Sequence, residues 1–329
     1  MKKLKKIYHD LVYSPINRPL HEIEREMHLR QGESAPIPVP WHQTSVVRMN
    51  STFMEFVDAA FLRKGFGVSI LLALICMGSY AVIDTTLLVI NNLGRDPTWF
   101  VIFIMFMNSF VLFLLTICIV TIRLEAFNYT HYPMIFNRKT RMVHVFLHQR
   151  KGEILSIPWD DIFFTCNKKG VTTSFHVHGH KLAEDGDTVL ETFLLPAQSE
   201  TSSPYRFLQW EFVRQYMEGD DANVAALANT VTEVAAVDGR RENIYESFRQ
   251  AWASFGGQHL HLAILFSPLI LMATVGRQFA MWTSKKPRWP KEIMDTCQFL
   301  PNDPNLRDRN HLAPRGHAKP PDVRPYAGR

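Results

Sequence analysis

The chain has 329 residues, of which 47% are hydrophobic and 20% charged, and its formal net charge at pH 7 is +5. This composition excludes a collagen-like, disulfide-stapled or wholly disordered protein. The four cysteines are too scattered for a zinc motif or a disulfide framework; they are Cys76, Cys118, Cys166 and Cys297. Charged residues are unevenly distributed, however, and two long stretches contain none.

The first predicted segment, residues 1–64, is polar. Five prolines interrupt it, so we expect short helices, such as one over residues 20–30, joined by extended chain. The first apolar run follows 65 mostly polar residues. Because no small-residue cleavage site follows that run closely, it does not fit a signal peptide.

Two uncharged apolar runs, residues 66–83 and 98–122, predict a pair of transmembrane helices within residues 65–122. A bilayer core about 30 Å thick requires about 20 apolar residues of helix, and the first run reaches that length when it extends to Ile90. The turn-rich residues 91–97 separate the two runs. The two helices are therefore expected to form an antiparallel hairpin.

The distribution of Lys and Arg predicts the orientation of this hairpin. Residues 1–65 carry ten of these cations, whereas the turn between the helices carries one. The positive-inside tendency therefore places both flanks in the cytoplasm. Asp84 is an ionisable residue inside the first helix, about two turns from its outer end. Because Asp84 can reach interfacial water there, simple solvation is the favoured interpretation.

Residues 123–220 show the short, alternating apolar runs of antiparallel strands. Six strands are predicted, over residues 132–136, 142–147, 153–157, 162–167, 171–177 and 188–195, and an amphipathic helix over residues 205–217. This pattern resembles the pleckstrin-homology superfold, a bent antiparallel barrel closed by a C-terminal helix. The predicted fold is thus a membrane α-helical hairpin with an α+β cytoplasmic domain, in which Trp159 packs under the barrel.

The rest of the chain is predicted as three segments. Residues 221–255 contain two helices, over 222–236 and 241–255. Residues 256–282 form a third apolar segment, and residues 283–329 form a basic, proline-rich tail that we expect to be poorly ordered. A helix broken at Ser267 and Pro268, re-entrant or lying in the interface, keeps that tail in the cytoplasm. A true third span and a buried soluble helix remain as alternatives.

Basic residues in the predicted turns are the candidates for binding a partner or lipid. A cation near an anionic membrane surface contributes about 1 kcal/mol to binding. Positive loops are also what any domain tethered close to a membrane would show. The candidates are Arg138, Lys139, Arg141, Arg150, Lys151, Lys168 and Lys169.

Alternation along the fifth predicted strand places His176, His178 and His180 on one face. Neighbouring members of this row can share a metal ion, with a third ligand from His144 or His148. The favoured interpretation is nevertheless a solvated or membrane-facing polar surface, and we expect no metal and no cofactor. No catalytic triad, phosphate loop or dinucleotide motif is present, so neither an enzyme nor a nucleic-acid-binding protein is predicted.

Two short motifs C-terminal to the hairpin resemble those of a known family. They are residues 136–141, Phe-Asn-Arg-Lys-Thr-Arg, and residues 157–162, Ile-Pro-Trp-Asp-Asp-Ile. Together they resemble an uncharacterised-domain family of bacterial inner-membrane proteins whose genes commonly lie beside type VI secretion effectors. Some such neighbours are similar to immunity proteins, which protect a cell from its own or a sibling's toxin.

The resemblance implies a multi-pass inner-membrane protein that binds a protein partner, most plausibly as an immunity protein against an effector toxin. The first alternative is a membrane-anchored regulatory or assembly module of the secretion machinery, which recognises lipid headgroups or a membrane partner. The second is a metal-dependent enzyme that uses the histidine row. Gene neighbourhood would separate the first two.

Overall fold

The computed structural model describes residues 16–42, 45–58, 61, 64–147, 152–168, 175–196, 207–235, 237, 241–254 and 260–311. The chain divides into two compact units. Unit 1 comprises residues 1–61, 131–240 and 287–329, and unit 2 comprises residues 62–130 and 241–286. Each unit is therefore assembled from segments that are far apart in the sequence.

Ten strands and nine helices of the described residues are numbered here in chain order. The strands are β1 (Arg18–Pro19), β2 (His28–Leu29), β3 (Val46–Met49), β4 (Phe53–Phe56), β5 (Met134–Asn137), β6 (Met142–Phe146), β7 (Ile154–Pro158), β8 (Ile162–Lys168), β9 (Phe175–Leu182) and β10 (Thr188–Leu194). The helices are α1 (Glu22–Glu26), α2 (Phe66–Asn91), α3 (Thr98–Glu125), α4 (Leu208–Glu218), α5 (Asp221–Thr230), α6 (Ile244–Ser254), α7 (Leu260–Leu265), α8 (Ser267–Thr283) and α9 (Lys291–Thr296).

All strands of unit 1 pair antiparallel, in two five-stranded sheets. The order in sheet A is β1-β10-β9-β8-β2, and the order in sheet B is β3-β4-β5-β6-β7. An α+β unit with antiparallel sheets is thus confirmed, but its strands form two sheets and not one closed barrel. The six predicted strands correspond to β5–β10; residues 171–174 of the fifth lie outside the described residues.

The N-terminal segment supplies four of these strands, where extended chain between short helices was predicted. β1 and β2 pair with the outer edges of β10 and β8, and β4 pairs with β5 across a long sequence separation. A second correction concerns the predicted helix over residues 222–236, which ends at Thr230. Beyond it the chain is extended, and the Ala235 amide donates to the Val46 carbonyl at 2.7 Å.

The core of unit 1 draws its side chains from both sheets and from α4. Trp159 is fully buried, as expected, and stacks on Trp210 of α4 with ring centroids 5.8 Å apart. Phe164 of β8 packs at 4.6 Å from Trp210, and Phe136 of β5 packs edge-on to Trp159 at 6.2 Å. Burial of such large aromatic groups dominates the stability of a core of this kind.

The C-terminal segment packs against sheet B as far as Arg307, which corrects the prediction that the basic, proline-rich segment from residue 283 is a poorly ordered tail. Met49 and Arg307 exchange two backbone hydrogen bonds, of 2.8 and 2.7 Å. Trp289 donates its indole N–H to Glu55 at 2.7 Å, and Asp303 accepts from the Ser51 amide at 2.8 Å. Residues 312–329 lie outside the described residues.

Unit 2 is helical, and α2 and α3 form its antiparallel hairpin. Gly78 of α2 lies so close to Leu115 of α3 that an added Cβ would be 2.8 Å from the leucine side chain. The predicted break in the third apolar segment is confirmed: α7 ends at Leu265, and α8 begins at Ser267 with Pro268 in its first turn. Proline is favoured there because the first amides of a helix have no intrahelical acceptor.

Candidate membrane anchor and partner-binding surface

α2 and α3 are long and apolar enough to cross a membrane, over Phe66–Asn91 and Thr98–Arg123. A helix of 26 residues is about 39 Å long, compared with about 30 Å for the hydrocarbon core of a bilayer. The core helix of a soluble protein would be mostly buried, but most large apolar side chains of these helices are exposed. Met77, Tyr80 and Phe106 are 69%, 71% and 65% exposed.

Polar side chains within the hairpin bond to one another or to their own helix. Thr85 donates to the Asn108 side-chain oxygen at 2.9 Å, and the Asn108 amide donates to Thr86 at 3.2 Å. Thr116 and Thr121 donate to carbonyls one turn earlier in α3. Such bonds remove the cost of placing hydroxyl and amide groups in hydrocarbon, and those between helices also fix the packing of the pair.

The start of α2 is held by charged side chains from other elements of unit 2. Gly65, at a φ of 93° that favours glycine, donates its amide to Glu125 of α3, which also accepts from the Val68 amide at 3.2 Å. A carboxylate at this position interacts favourably with the positive end of the helix dipole. Arg277 of α8 donates to the Lys64 carbonyl at 3.2 Å.

Arg277 also forms a buried ion pair with Glu242. Its Nε and Nη2 atoms donate to the two carboxylate oxygens at 2.6 and 2.9 Å, and the side chains are 4% and 3% exposed. Ser247 of α6 donates to the same carboxylate at 3.2 Å. Two-point pairing of this kind fixes orientation as well as charge, so it ties α8 to the segment that leads into α6.

α8 has one buried face and one exposed apolar face. Ile270 and Ala273 pack against Ala251 of α6, whereas an outward row, whose members are four and seven residues apart, remains uncovered. This row consists of Leu271, Val275 and Trp282, which are 58%, 60% and 68% exposed, and Ile264 and Leu265 of α7 are 65% and 70% exposed. Exposed apolar surface of this extent marks a lipid or protein contact.

In unit 1, the two arginines of the basic β5–β6 turn form ion pairs with acidic side chains of the same chain. Arg138 donates to Asp221 at 2.9 Å and to the Gly219 carbonyl at 2.5 Å. Arg141 donates twice to Asp160, at 2.9 and 2.5 Å, and once to Glu218 at 2.8 Å. These hydrogen bonds lower the pKa of Asp160 and raise that of Arg141. Both arginines thus stabilise the junction of the turn with α4 and α5.

The structure describes the remaining basic candidates for partner binding only in part. Lys139 is exposed on the β5–β6 turn. Lys168 ends β8, but its side chain lies outside what the structure describes, as do residues Arg150, Lys151 and Lys169 in their entirety. Among the described candidates, Lys139 is therefore the cation best placed to meet a partner.

His176, His178 and His180 lie on one face of β9, as predicted, but they are buried and not solvated or membrane-facing. His180 pairs with Thr192 of β10 at 2.8 Å, and its Nε2 atom lies 3.6 Å from Glu24 of α1. Burial lowers the pKa of His180 to about 4, so the ring is neutral at pH 7.

The arrangement around these histidines does not resemble a metal centre. His144 belongs to the other sheet and bonds to Ser156 at 2.8 Å, and His148 lies outside the described residues. Within the described part of the chain, no three His, Cys, Asp or Glu side chains are grouped so that they could hold a metal ion. Glu24 is instead bound by Arg18, at 2.7 and 2.6 Å.

Sequence reasoning missed two of these features. The Glu242–Arg277 pair joins residues 35 positions apart, and its signal is a single arginine directly after an apolar segment. The segment that covers sheet A, residues 18–29, contains two strands of two residues each. Strands this short carry no alternation that a sequence pattern could reveal.

A family model described as a family of unknown function, DUF6708, matches residues 111–301, which is more than half of the chain. The match begins within α3 and extends past α9, so it includes parts of both units. Comparison with curated proteins and with solved structures gave no match.

Proposed function

The chain belongs to the DUF6708 family of unknown function, and on that premise we propose that it is a membrane-anchored, non-enzymatic binding protein. In this proposal α2 and α3 cross a bacterial inner membrane, and unit 1 binds a protein partner from the cytoplasm. The observation that carries it is the exposure of apolar side chains along both helices. The surrounding lysines and arginines support the orientation.

Unit 1 supplies the binding surface in this proposal. Two antiparallel sheets followed by α4 are compatible with the pleckstrin-homology arrangement, a superfold that displays variable loops for many different ligands. A protein partner is favoured over lipid headgroups because Arg138 and Arg141 are already paired with acids. An anionic lipid would have to displace those carboxylates.

The partner that we propose is an effector toxin of type VI secretion, which would make this chain an immunity protein. The support is the sequence resemblance at residues 136–141 and 157–162. These two motifs are in direct contact, because the Trp159 amide donates to the Arg141 carbonyl at 2.7 Å and Arg141 binds Asp160. Together they form one structural corner that presents Lys139 at its surface.

Deleting the gene is expected to sensitise a cell to attack by a sibling only while the adjacent effector gene is intact. The effector should also co-purify with the wild-type protein. The triple variant Lys139→Glu, Arg150→Glu and Lys151→Glu should reach the membrane in normal amounts but lose protection and co-purification. Its matched control is Lys291→Glu, a charge reversal at an exposed position of α9.

Normal competition by the deletion strain would refute the immunity role. If no effector co-purified while a secretion component did, the assembly-module alternative would replace it. Binding of purified protein to anionic vesicles that depended on Lys139 would favour the version of that alternative in which unit 1 recognises lipid headgroups.

A further inference from the structure

We propose that one face of α2 is a contact site for a second copy of this chain inside the membrane, with Tyr80 and Asp84 as its polar contacts. The inference rests on the proposed membrane-spanning role of α2 and α3. It concerns a part of the hairpin that neither α3 nor α8 covers.

Asp84 lies well inside the hydrocarbon region in this arrangement. It precedes the last residue of α2, Asn91, by seven positions, or about 10 Å of helix. Because α2 exceeds the thickness of a bilayer core by about 9 Å, each end projects by about half of that excess. The Asp84 backbone is then about 6 Å below the hydrocarbon boundary. The side chain of aspartate is too short to bring its carboxylate to interfacial water from this depth.

Asp84 has no hydrogen bond or ion pair within the part of the chain that the structure describes, and its side chain is exposed. Thr85, its neighbour, faces α3 and bonds to Asn108. Ionisable residues inside membranes almost always face a partner or a water-filled cavity. Because no described residue of this chain supplies such a partner, the outward position of Asp84 favours a partner on another molecule over simple solvation.

The residues around Asp84 form a continuous outward face. Positions three, four and seven residues apart share one side of a helix, and all members of this set are exposed. The face consists of Met77, Tyr80, Ala81, Asp84 and Leu88. Ala81 is small enough to let another helix approach closely, as small residues do at helix contacts in membranes.

This face is complementary to itself. Tyr80 carries a hydroxyl donor, and Asp84, one turn further along, carries a carboxylate acceptor. Two copies inserted in the same orientation are related by a two-fold axis along the membrane normal. When their α2 helices pack side by side, Tyr80 of each copy can donate to Asp84 of the other. One contact surface thus provides two equivalent hydrogen bonds, which is why a second copy is the occupant that we propose.

Cysteine crosslinking of the full chain in native membranes tests this contact. In a Cys76→Ser, Cys118→Ser background, Ala81→Cys should yield a covalent dimer of the chain on oxidation. The matched control is Ile83→Cys, which lies at nearly the same depth and is 60% exposed but is about 100° around the helix from Asp84. It should give at least fivefold less dimer.

The polar contacts are tested in the Ala81→Cys background. Tyr80→Phe and Asp84→Leu should each lower the dimer yield by about fivefold, the effect of one or two hydrogen bonds between membrane helices. The double variant should lose little more than either single one, because both remove the same bonds. Equal dimer yields in all these variants would refute the role of Tyr80 and Asp84.

Other outcomes overturn the proposal in distinguishable ways. If Ala81→Cys gave no dimer while a cysteine at residue 93 was labelled from outside the cell, self-association would be wrong and the membrane span would stand. A crosslink from position 81 to a different protein would replace the second copy by a heterologous helix. Failure to label either residue 93 or residue 151 from outside the cell would refute the membrane hairpin itself.

Discussion

Arg277 is a cation held almost entirely out of water, and its charge is balanced by Glu242 at 2.6 Å. Taking both ions from water costs several kcal/mol each, and the close two-point pairing offsets that cost. Removal of one partner leaves the other charge buried and unpaired. The pair therefore holds α8 against the segment before α6. Its contribution to the stability of unit 2 becomes measurable when one partner is removed.

We expect Arg277→Leu to destabilise unit 2 by about 3 kcal/mol or more. The double variant Glu242→Leu, Arg277→Leu should recover part of this loss, because it leaves no unpaired charge. The measurement is the midpoint of thermal unfolding of the full chain in detergent. Lys285→Leu, at an exposed cation just after α8, is the control and should change the midpoint little. A smaller loss in Arg277→Leu than in the control would contradict the buried pairing.

At the level of elements, residues 18–29 close both edges of the three longest strands of sheet A. β1 covers β10, β2 covers β8, and α1 between them places Glu24 over His180. An exposed sheet edge is a template for unwanted pairing, and two-residue strands are a common way to cover one. The charged and titratable groups that face His180 are Glu24 of α1, Arg18 of β1 and His178 of β9.

This arrangement predicts a stability that falls with acidification. Burial lowers the pKa of His180 from 6.5 to about 4, so an unfolded or opened chain binds a proton more readily than the folded one. The stabilisation is complete above pH 6.5 and is lost as the pH falls towards 4, by an amount on the order of 3 kcal/mol. Burial raises the pKa of Glu24, but bonds from Arg18 and the His21 backbone outweigh it and lower the pKa overall. Glu24 therefore adds to the loss below pH 4.5.

Hydrogen exchange of the β9 and β10 amides between pH 7 and pH 4.5 measures this effect. Protection should decrease with acidification in the wild type, after correction for the intrinsic pH dependence of exchange. In His180→Gln, which retains a polar side chain but does not titrate in this range, the decrease should be much smaller. An equal decrease in both proteins would show that His180 does not control the pH dependence.

For the whole molecule, the assembly of unit 1 restricts how the chain can cross a membrane. β4 pairs with β5, so the two ends of the α2–α3 hairpin return to the same unit. Residues 289–307 also pack on sheet B, so the segment between residues 241 and 286 starts and ends at that unit. If unit 1 stays on one side, a single crossing by α7 and α8 is incompatible with this connectivity.

The topology predicted from this connectivity can be measured by cysteine labelling from outside the cell. A cysteine introduced at residue 93 should react, whereas cysteines at residues 151 and 315 should be protected until the membrane is made permeable. Reaction at residue 315 alone would indicate a third crossing and would contradict the packing of residues 289–307 on sheet B. Reaction at residue 151 would reverse the whole orientation.

The elements that could be predicted from the sequence are those that depend on a local pattern of residues. Apolar length predicted α2 and α3, alternation predicted β5–β10, and Pro268 predicted the break before α8. The strands β1–β4 and the Glu242–Arg277 pair depend on partners that are distant in sequence, so no local pattern marks them. Similarly, the sequence indicates that Arg138 and Arg141 are cations but not that acids of α4 and α5 bind them.

The pairing of β4 with β5 also determines when sheet B can be assembled during synthesis of the chain. β4 leaves the ribosome before the whole α2–α3 hairpin, and its partner β5 follows only after residues 57–133 have been synthesised, a delay on the order of ten seconds. During that time β3 and β4 have an unpaired edge, while the apolar helices are already available for insertion. In the proposed membrane topology, sheet B is thus completed after the hairpin has entered the membrane, and its last contacts await the synthesis of residues 289–307.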